Sequence, residues 1–213
     1  MFEKISVLVP TRHRPERLRT MIESFVCTSF GRAELVFRVD DDDPETLEAL
    51  EGHRVIVGPR LGYSGLPAYF NELYKASTGD VLMCGNDDIV FKTQGWDVLI
   101  LAEANKYPDG IFDFGVLTHN APNFPLATVS RKAVDAVGCF FDPRFFWGDI
   151  FWRDVASQFG RAIPLPHIEI DHDWVGFNPD RVFLAGENHR RNVDTSQHAL
   201  VVREAVEKLR GLM

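Results

Sequence analysis

Apolar residues fall into two rhythms along this chain. Short runs, Ile5-Ser-Val-Leu-Val9, Leu35-Val-Phe-Arg-Val39, Arg54-Val-Ile-Val57 and Val81-Leu-Met-Cys84, have the apolar, β-branched character of strands buried in a parallel sheet. Between them Leu18, Met21, Ile22 and Phe25, and later Leu66, Tyr69, Phe70 and Leu73, recur at helical spacing. Pro15 and Pro44 stand where the first residue of a helix belongs, the second behind Asp43 as a cap. The resulting order, β-α-β-α-β-α-β, predicts an α/β fold, Rossmann-like, with a mainly parallel sheet flanked by helices on both faces.

From Trp96 onward the rhythm loosens. Trp96, Leu99 and Ile100 predict a helix to about Asn105. Ile111–Phe114 and Leu126–Val129 read as short strands around a Pro- and Asn-rich loop. Ser130 caps a short helix through Val137, and the aromatic run from Phe140 to Trp152 leads into a helix that reaches Phe159. Ile168–Asp171 reads as an edge strand. Thr195 or Ser196 should cap a last helix to Leu209, with Val202, Val206 and Leu209 inward. There is no repeat, linker or low-complexity tract. One domain over residues 1–213 is expected, with a regular half to about residue 90 and an irregular half from 91 to the end.

A chain of 213 residues with 45% hydrophobic content can build one substantial core. No apolar run is long enough to span a bilayer, and Met1–Pro10 is too short and mixed for a signal peptide. Cys27, Cys84 and Cys139 lie far apart, without zinc spacing, as suits a reducing compartment. A soluble, cytoplasmic protein is expected. The net charge of −8 argues against a broad nucleic-acid-binding surface. Basic residues nevertheless crowd two segments, Arg12-His-Arg14 with Arg17 and Arg19, and His189-Arg190-Arg191. Arginines gathered at particular loops of an acidic protein suit a small anion, although any one of them alone reads as part of a solvated helix face.

The chemistry concentrates where strands end. Val81–Cys84 stops at Gly85, Asn86 and the adjacent carboxylates Asp87 and Asp88, and Leu35–Val39 runs into Asp40, Asp41, Asp42 and Asp43. In open α/β sheets ligands bind beyond the carboxyl ends of the strands. Two neighbouring aspartates repel unless a cation or protons compensate them, and a hard divalent ion with a phosphate-bearing ligand would do so. A carboxylate at the end of the second strand could accept a nucleobase N–H, an interaction that discriminates because an unpaired buried carboxylate is costly. Asp149 is the third acidic position, closing the aromatic run.

These residues together carry a resemblance. Ile5-Ser-Val-Leu-Val-Pro-Thr-Arg-His-Arg-Pro-Glu-Arg-Leu18 resembles the opening of the large inverting family 2 of nucleotide-sugar-dependent glycosyltransferases, which have the GT-A fold. Val39-Asp-Asp resembles that family's nucleotide-binding acidic turn. Gly62 to Asp88, with Asn71, Ala76-Ser-Thr-Gly-Asp80 and Asn86-Asp-Asp88, resembles its helix leading to the Asp-x-Asp metal motif. Val129 to Gly138, then Phe141-Asp-Pro-Arg-Phe145 and Gly148-Asp149, resembles its acceptor-side half.

The resemblance covers about Ile5 to Gly160 and implies roles position by position. Pro10, Thr11 and Arg12 line the nucleotide, Asp40 or Asp41 meets the base, and Arg60 lies near the nucleotide or diphosphate. Arg17 and Asn86 are counted with these donor-binding residues. Asp87 coordinates Mn²⁺ or Mg²⁺, with Asp88 beside it and His172 or His189 as a further ligand. Asp149 matches the general base. The implied donor is a nucleotide-diphosphate sugar, a UDP-sugar by preference, and inversion is expected. Gly85 and Gly148 depart from the pattern, each replacing an expected carboxylate. Aromatics such as Phe145, Phe146, Trp147 and Trp152 read either as core or as a stacking platform for the acceptor. Two other functions fit less well: a nucleotidyltransferase, whose glycine-rich phosphate loop is absent after the first strand, and a nucleotide-sugar-binding protein without turnover. The acceptor is not legible.

Overall fold

The computed structural model describes residues 1–118, 121–172 and 194–213, with backbone alone for 117–118 and 121–125. Strands β1 (Ile5–Thr11), β2 (Ala33–Asp40), β3 (Val55–Gly58) and β4 (Val81–Cys84) pair in parallel in the order β3-β2-β1-β4. β8 (Thr128–Ser130) closes the sheet antiparallel to β4. Helices α1 (Pro15–Thr28), α2 (Pro44–Ala49) and α3 (Leu66–Ala76) make the connections of the wound half.

Alternation along the strands separates two cores. Ile5, Val7 and Val9 of β1 and Val81 and Met83 of β4 pack with Leu18, Met21 and Phe25 of α1 and with Trp96 of α4 (Trp96–Ala104). Leu8, Val36, Leu82 and Cys84 point the other way, to Phe70 and Leu73 of α3 and to Phe151 and Trp152 of α6 (Gly148–Ser157). The period of two therefore sends Arg38 and Asp40 toward the α3 side with Val36. The predicted caps form: the Asp43 side chain accepts from the Thr46 N–H, and Ser130 from that of Ala133 at the head of α5 (Arg131–Val137).

The irregular half departs from expectation in three places. Ile111–Phe114 is not a strand but contributes isolated bridges at Asp113, to Val129 and Ala162. The segment expected as a loop instead holds β6 (Val116–Thr118) and β7 (Ala121–Leu126), an antiparallel pair with an irregular register at Leu117/Thr118. With β5 (Ile89–Phe91) and β9 (Ile170–His172) they form a second sheet, in the order β5-β9-β6-β7. The last helix, α7 (His198–Leu209), begins behind Gln197, and neither Thr195 nor Ser196 caps it through a side chain. Val202, Val206 and Leu209 face inward as expected, joined by Val201 and Ala205. Among the described residues no helix is long and apolar enough to cross a membrane.

Candidate active site

Parallel pairing brings the carboxyl ends of β1, β2 and β4 to one rim, where three polar loops interlock. Arg12, just past β1, donates through Nη1 to Asp40 Oδ2 at 2.9 Å and also pairs with Asp42. The bond to Asp42 outweighs partial burial and raises the Arg12 pKa. His13 takes a positive φ of 54°, rare for a residue with a side chain. That turn lets its N–H donate to Asp43 Oδ2 at 2.8 Å and sets its Nδ1 3.1 Å from Asp43 Oδ1. Thr11 donates its hydroxyl to Asp87 Oδ2 at 2.8 Å, and Arg14 Nη1 donates to Asp87 Oδ1 at 3.0 Å and Asp88 Oδ2 at 3.4 Å.

Asp40 is 4% exposed and is held from three sides. Arg12 reaches one oxygen, while the Tyr69 hydroxyl, at 2.8 Å, and Arg38 Nη1, at 3.3 Å, reach the other. Tyr69 accepts in turn from the Leu61 N–H at 2.7 Å. Arg38, itself 1% exposed, extends to Glu72 of α3 and to the Pro59 carbonyl. A Cβ on Gly58 would come within 2.9 Å of the Arg38 guanidinium, so the bare glycine gives that arginine its place. Arg38 and Tyr69 were not singled out in the sequence, although a charged residue inside the run Leu35–Val39 was a usable signal.

Beside this rim lies a cavity of about 460 Å³. Pro10, Thr11, Arg12, Asp40, Arg60, Asn86 and Asp87 line it, and Asp149 lines it together with Tyr63, Phe141, Phe146 and Trp147. Seven of the sequence-selected donor and metal positions and the selected base thus share one space. The remaining selections lie differently. Asp41 is exposed and outside the lining. Arg17 reaches Asp88 at 3.6 Å, and His172 Nε2 lies 3.3 Å from the other oxygen of Asp88; neither they nor Asp88 line the cavity. His189 to Arg191 lie outside the described residues.

The two glycines that replace expected carboxylates have packing reasons. A Cβ on Gly148 would sit 2.2 Å from the Phe141 ring, and one on Gly85 would sit 2.7 Å from Val7 Cγ1. Gly148 opens α6 behind Trp147, so Asp149 stands inside the first helical turn rather than at the cap. Trp152, expected either as core or as a platform, is 1% exposed and belongs to the core. Phe145, 3% exposed, is core as well, whereas the half-buried Trp147 and nearly buried Phe146 face the cavity.

Burial pushes the Asp87 carboxyl up, and Asp88 adds to the push, against Arg14 and the Thr11 hydroxyl. Hard oxygen donors of this kind suit Mg²⁺ or Mn²⁺. Among the described residues no three His, Cys, Asp or Glu side chains converge as a metal cage. An ion of this class commonly binds through one or two carboxylates plus ligand phosphates, and Asp87 at the cavity wall fits that mode.

The model of glycosyl transferase family 2 matches residues 6–161, well over half of the chain. The chain belongs to this family, and its fold is that of the GT-A glycosyltransferases. It is 27% identical over 192 residues to the O-antigen biosynthesis protein RfbC of Myxococcus xanthus, covering 86% of this chain but only 14% of that relative's length. Among solved structures, a mannosyltransferase from Pyrobaculum calidifontis in complex with GDP-Man and Mn²⁺ superposes with a TM-score of 0.65 at 14% identity, covering 100% of this chain and 74% of that one. S. aureus TarS residues 1–349 in complex with UDP gives 0.62 at 14% identity, covering 97% and 70%.

Proposed function

We propose that this glycosyltransferase moves a sugar from a nucleotide-diphosphate donor to an acceptor hydroxyl, with inversion at the anomeric carbon. The observation that carries the reading is the shared cavity, with Arg12, Asp40, Arg60 and Asp87 from the strand ends in one lining and Asp149 in the same lining from α6. Asp40 reads the base by accepting its N–H on a carboxylate oxygen. Its existing bonds to Arg12, Arg38 and Tyr69 fix its direction. Pro10, Thr11 and Asn86 line the donor's path, and Arg12 and Arg60 oppose the diphosphate charge. Arg17 acts through Asp88 rather than on the donor.

Asp87 is the residue that would hold Mn²⁺ or Mg²⁺. When bound, such an ion supplies charge stabilisation at the departing diphosphate. Asp149 accepts the acceptor's proton as the new bond from oxygen to the anomeric carbon forms. The bond to the diphosphate breaks at the same centre, and nucleoside diphosphate leaves with the electron pair. A carboxylate base contributes about 10²–10⁴-fold. The donor is a UDP- or GDP-sugar, the nucleotides named for the two structural neighbours. The cysteines, all free, accord with a reducing compartment such as the cytoplasm.

Incubation with UDP- and GDP-sugars, Mn²⁺ and a panel of glycan acceptors should release nucleoside diphosphate, and a chelator should suppress the release. Pyrophosphate as product would instead identify a nucleotidyltransferase. Donor binding without turnover across the panel would identify a binding protein.

A further inference from the structure

Arg60 is exposed, lines the cavity and sits on the loop 59–62, which belongs to no helix or strand. A long cationic side chain on a loose loop loses much freedom when it meets an anion, so ordering the loop beforehand favours binding. Both neighbours of Arg60 are anchored. The Pro59 carbonyl accepts from Arg38 Nη2 at 2.8 Å, and the Leu61 N–H donates to the Tyr69 hydroxyl at 2.7 Å. The same two side chains hold Asp40: the Tyr69 hydroxyl donates to Oδ1 at 2.8 Å, and Arg38 Nη1 donates to that oxygen at 3.3 Å.

Rigid elements place both anchors. Arg38 belongs to β2, is 1% exposed, and donates through Nε to Glu72 of α3 at 2.6 Å and through Nη1 to the Val39 carbonyl at 2.6 Å. Tyr69 is buried on α3, with the guanidinium 4.7 Å from its ring centroid. The guanidinium is a rigid planar fork, so its approaches to Pro59 and to Asp40 are fixed together. The Tyr69 hydroxyl has one proton, which it gives to Asp40, and its oxygen receives the Leu61 N–H. Burial pushes its pKa up, and the Asp40 carboxylate adds to the push against the Leu61 bond, so the hydroxyl keeps that proton at neutral pH.

We propose that Arg38 and Tyr69 are positioning residues that join Asp40 and the Arg60 loop into one frame, so that a nucleoside diphosphate meets its base reader and its diphosphate arginine at a preset spacing. This rests on the reading of Asp40 and Arg60 as donor-binding residues. Neither side chain needs to touch the diphosphate. Tyr69 acts on Arg60 through the Leu61 backbone, and Arg38 acts through that of Pro59. A frame of this kind raises affinity by lowering the cost of ordering the loop, and it couples the two contacts energetically.

Calorimetric titration of the full chain with UDP and with GDP, each with Mn²⁺, tests the frame by a double-mutant cycle on Tyr69→Phe, Arg60→Ala and the combined variant. Circular dichroism checks each fold. Tyr69→Phe keeps the ring against Arg38 and removes only the hydroxyl. It should weaken binding of the preferred nucleotide. That loss should be smaller by about threefold or more once Arg60 is absent, because the part of Tyr69 that works through the loop then has nothing to place. Amide exchange followed by NMR without nucleotide supplies a second readout. Leu61 should exchange about tenfold faster in Tyr69→Phe while the amides of α3 keep their protection. If Tyr69→Phe does not fold, Gly58→Ala, whose Cβ would come 2.9 Å from Arg38 Nη2, takes its place in the nucleotide cycle with the same expected outcome. Losses that multiply, or a Leu61 amide that is unprotected in wild type or unchanged by Tyr69→Phe, overturn the frame. If neither nucleotide binds wild type, the donor reading falls and Leu61 exchange alone decides the frame. If a nucleotide binds and the losses multiply, the donor reading stands without it.

Discussion

Asp149 sits one residue inside α6, and the cap position ahead of the helix is Trp147, whose side chain makes no capping bond. Its carboxylate favours the helix N-terminus by about 0.3–1 kcal/mol through the macrodipole. Asp149→Asn forfeits at least that contribution, read as a fall in Tm. If Asp149 takes the acceptor's proton, the same substitution lowers kcat at least about 10²-fold while donor affinity stays, because an amide cannot accept that proton. Single-turnover transfer at the wild-type rate would remove Asp149 from the mechanism. Residues such as Arg12, Asp40, Asp87 and Asp149 were legible because each stands where an apolar run breaks, a place the sequence marks. Their partners were not. Arg38 and Tyr69 meet Asp40 only because β2 and α3 face each other. Asp113 is fixed by bridges to Val129 and Ala162, remote segments that no local pattern announces. Asp87 also changes in character. The sequence presents it as one of two repelling carboxylates, whereas the structure gives it a hydroxyl and a guanidinium as donors.

The wound half was readable at the scale of elements because buried parallel strands are continuous apolar runs and amphipathic helices carry a single stripe. The second half was not, since β6 and β7 are strands by pairing with each other and, through β6, with β9 rather than by propensity. Pro122, Asn123 and Pro125 in β7 argued for a loop, and tertiary pairing overrode them. The join between the aromatic run and α6 is the element most exposed to a single change. Gly148 has an ordinary helical setting, so Ala there would gain roughly 1 kcal/mol of helix propensity. Against that stands the Phe141 ring, 2.2 Å from the added Cβ. Phe141 is 2% exposed and packs on Phe70 at 4.5 Å and Phe140 at 4.8 Å, so it has nowhere to move. Overpacking costs about 1–3 kcal/mol, and Gly148→Ala should destabilise on balance. Chemical denaturation giving an unchanged or higher midpoint would contradict this packing. The same crowding accounts for the missing carboxylate beside Asp149: a glutamate would need Phe141 rebuilt.

Across the whole molecule, buried acids pull the pH dependence of stability in two directions, and the sign of each follows from its shift. Asp113 is raised to about 7 by burial, and Asp87 is raised by burial as well. The folded state binds their protons more tightly than the unfolded chain, so their contribution is complete below about pH 4; that of Asp113 is lost as pH rises toward 7, and that of Asp87 as pH rises through its raised folded value. Glu34 behaves oppositely. Burial pushes it up, but bonds from Lys4, Ser6 and Thr78 prevail and bring it to about 2. Asp43, Asp97 and Asp142 are also lowered, each against burial: Asp43 by bonds from Thr46 and His13, Asp97 chiefly by those from Phe30 and Ser29, and Asp142 by those from Arg144. Stability from these four is present above the ordinary carboxylate range and is lost as pH falls through their folded values. The sum is a maximum on the acidic side of neutrality, with stability rising as pH falls from 7 toward about 5 and declining below about 4. Urea midpoints measured from pH 3 to 8 should trace that shape in wild type. In Asp113→Asn the limb between 5 and 7 should flatten while the acid limb stays, because Glu34, Asp43, Asp97 and Asp142 are untouched. A wild-type curve that climbs steadily from pH 4 to 8 would mean that Asp113 is ionised in the fold at little cost.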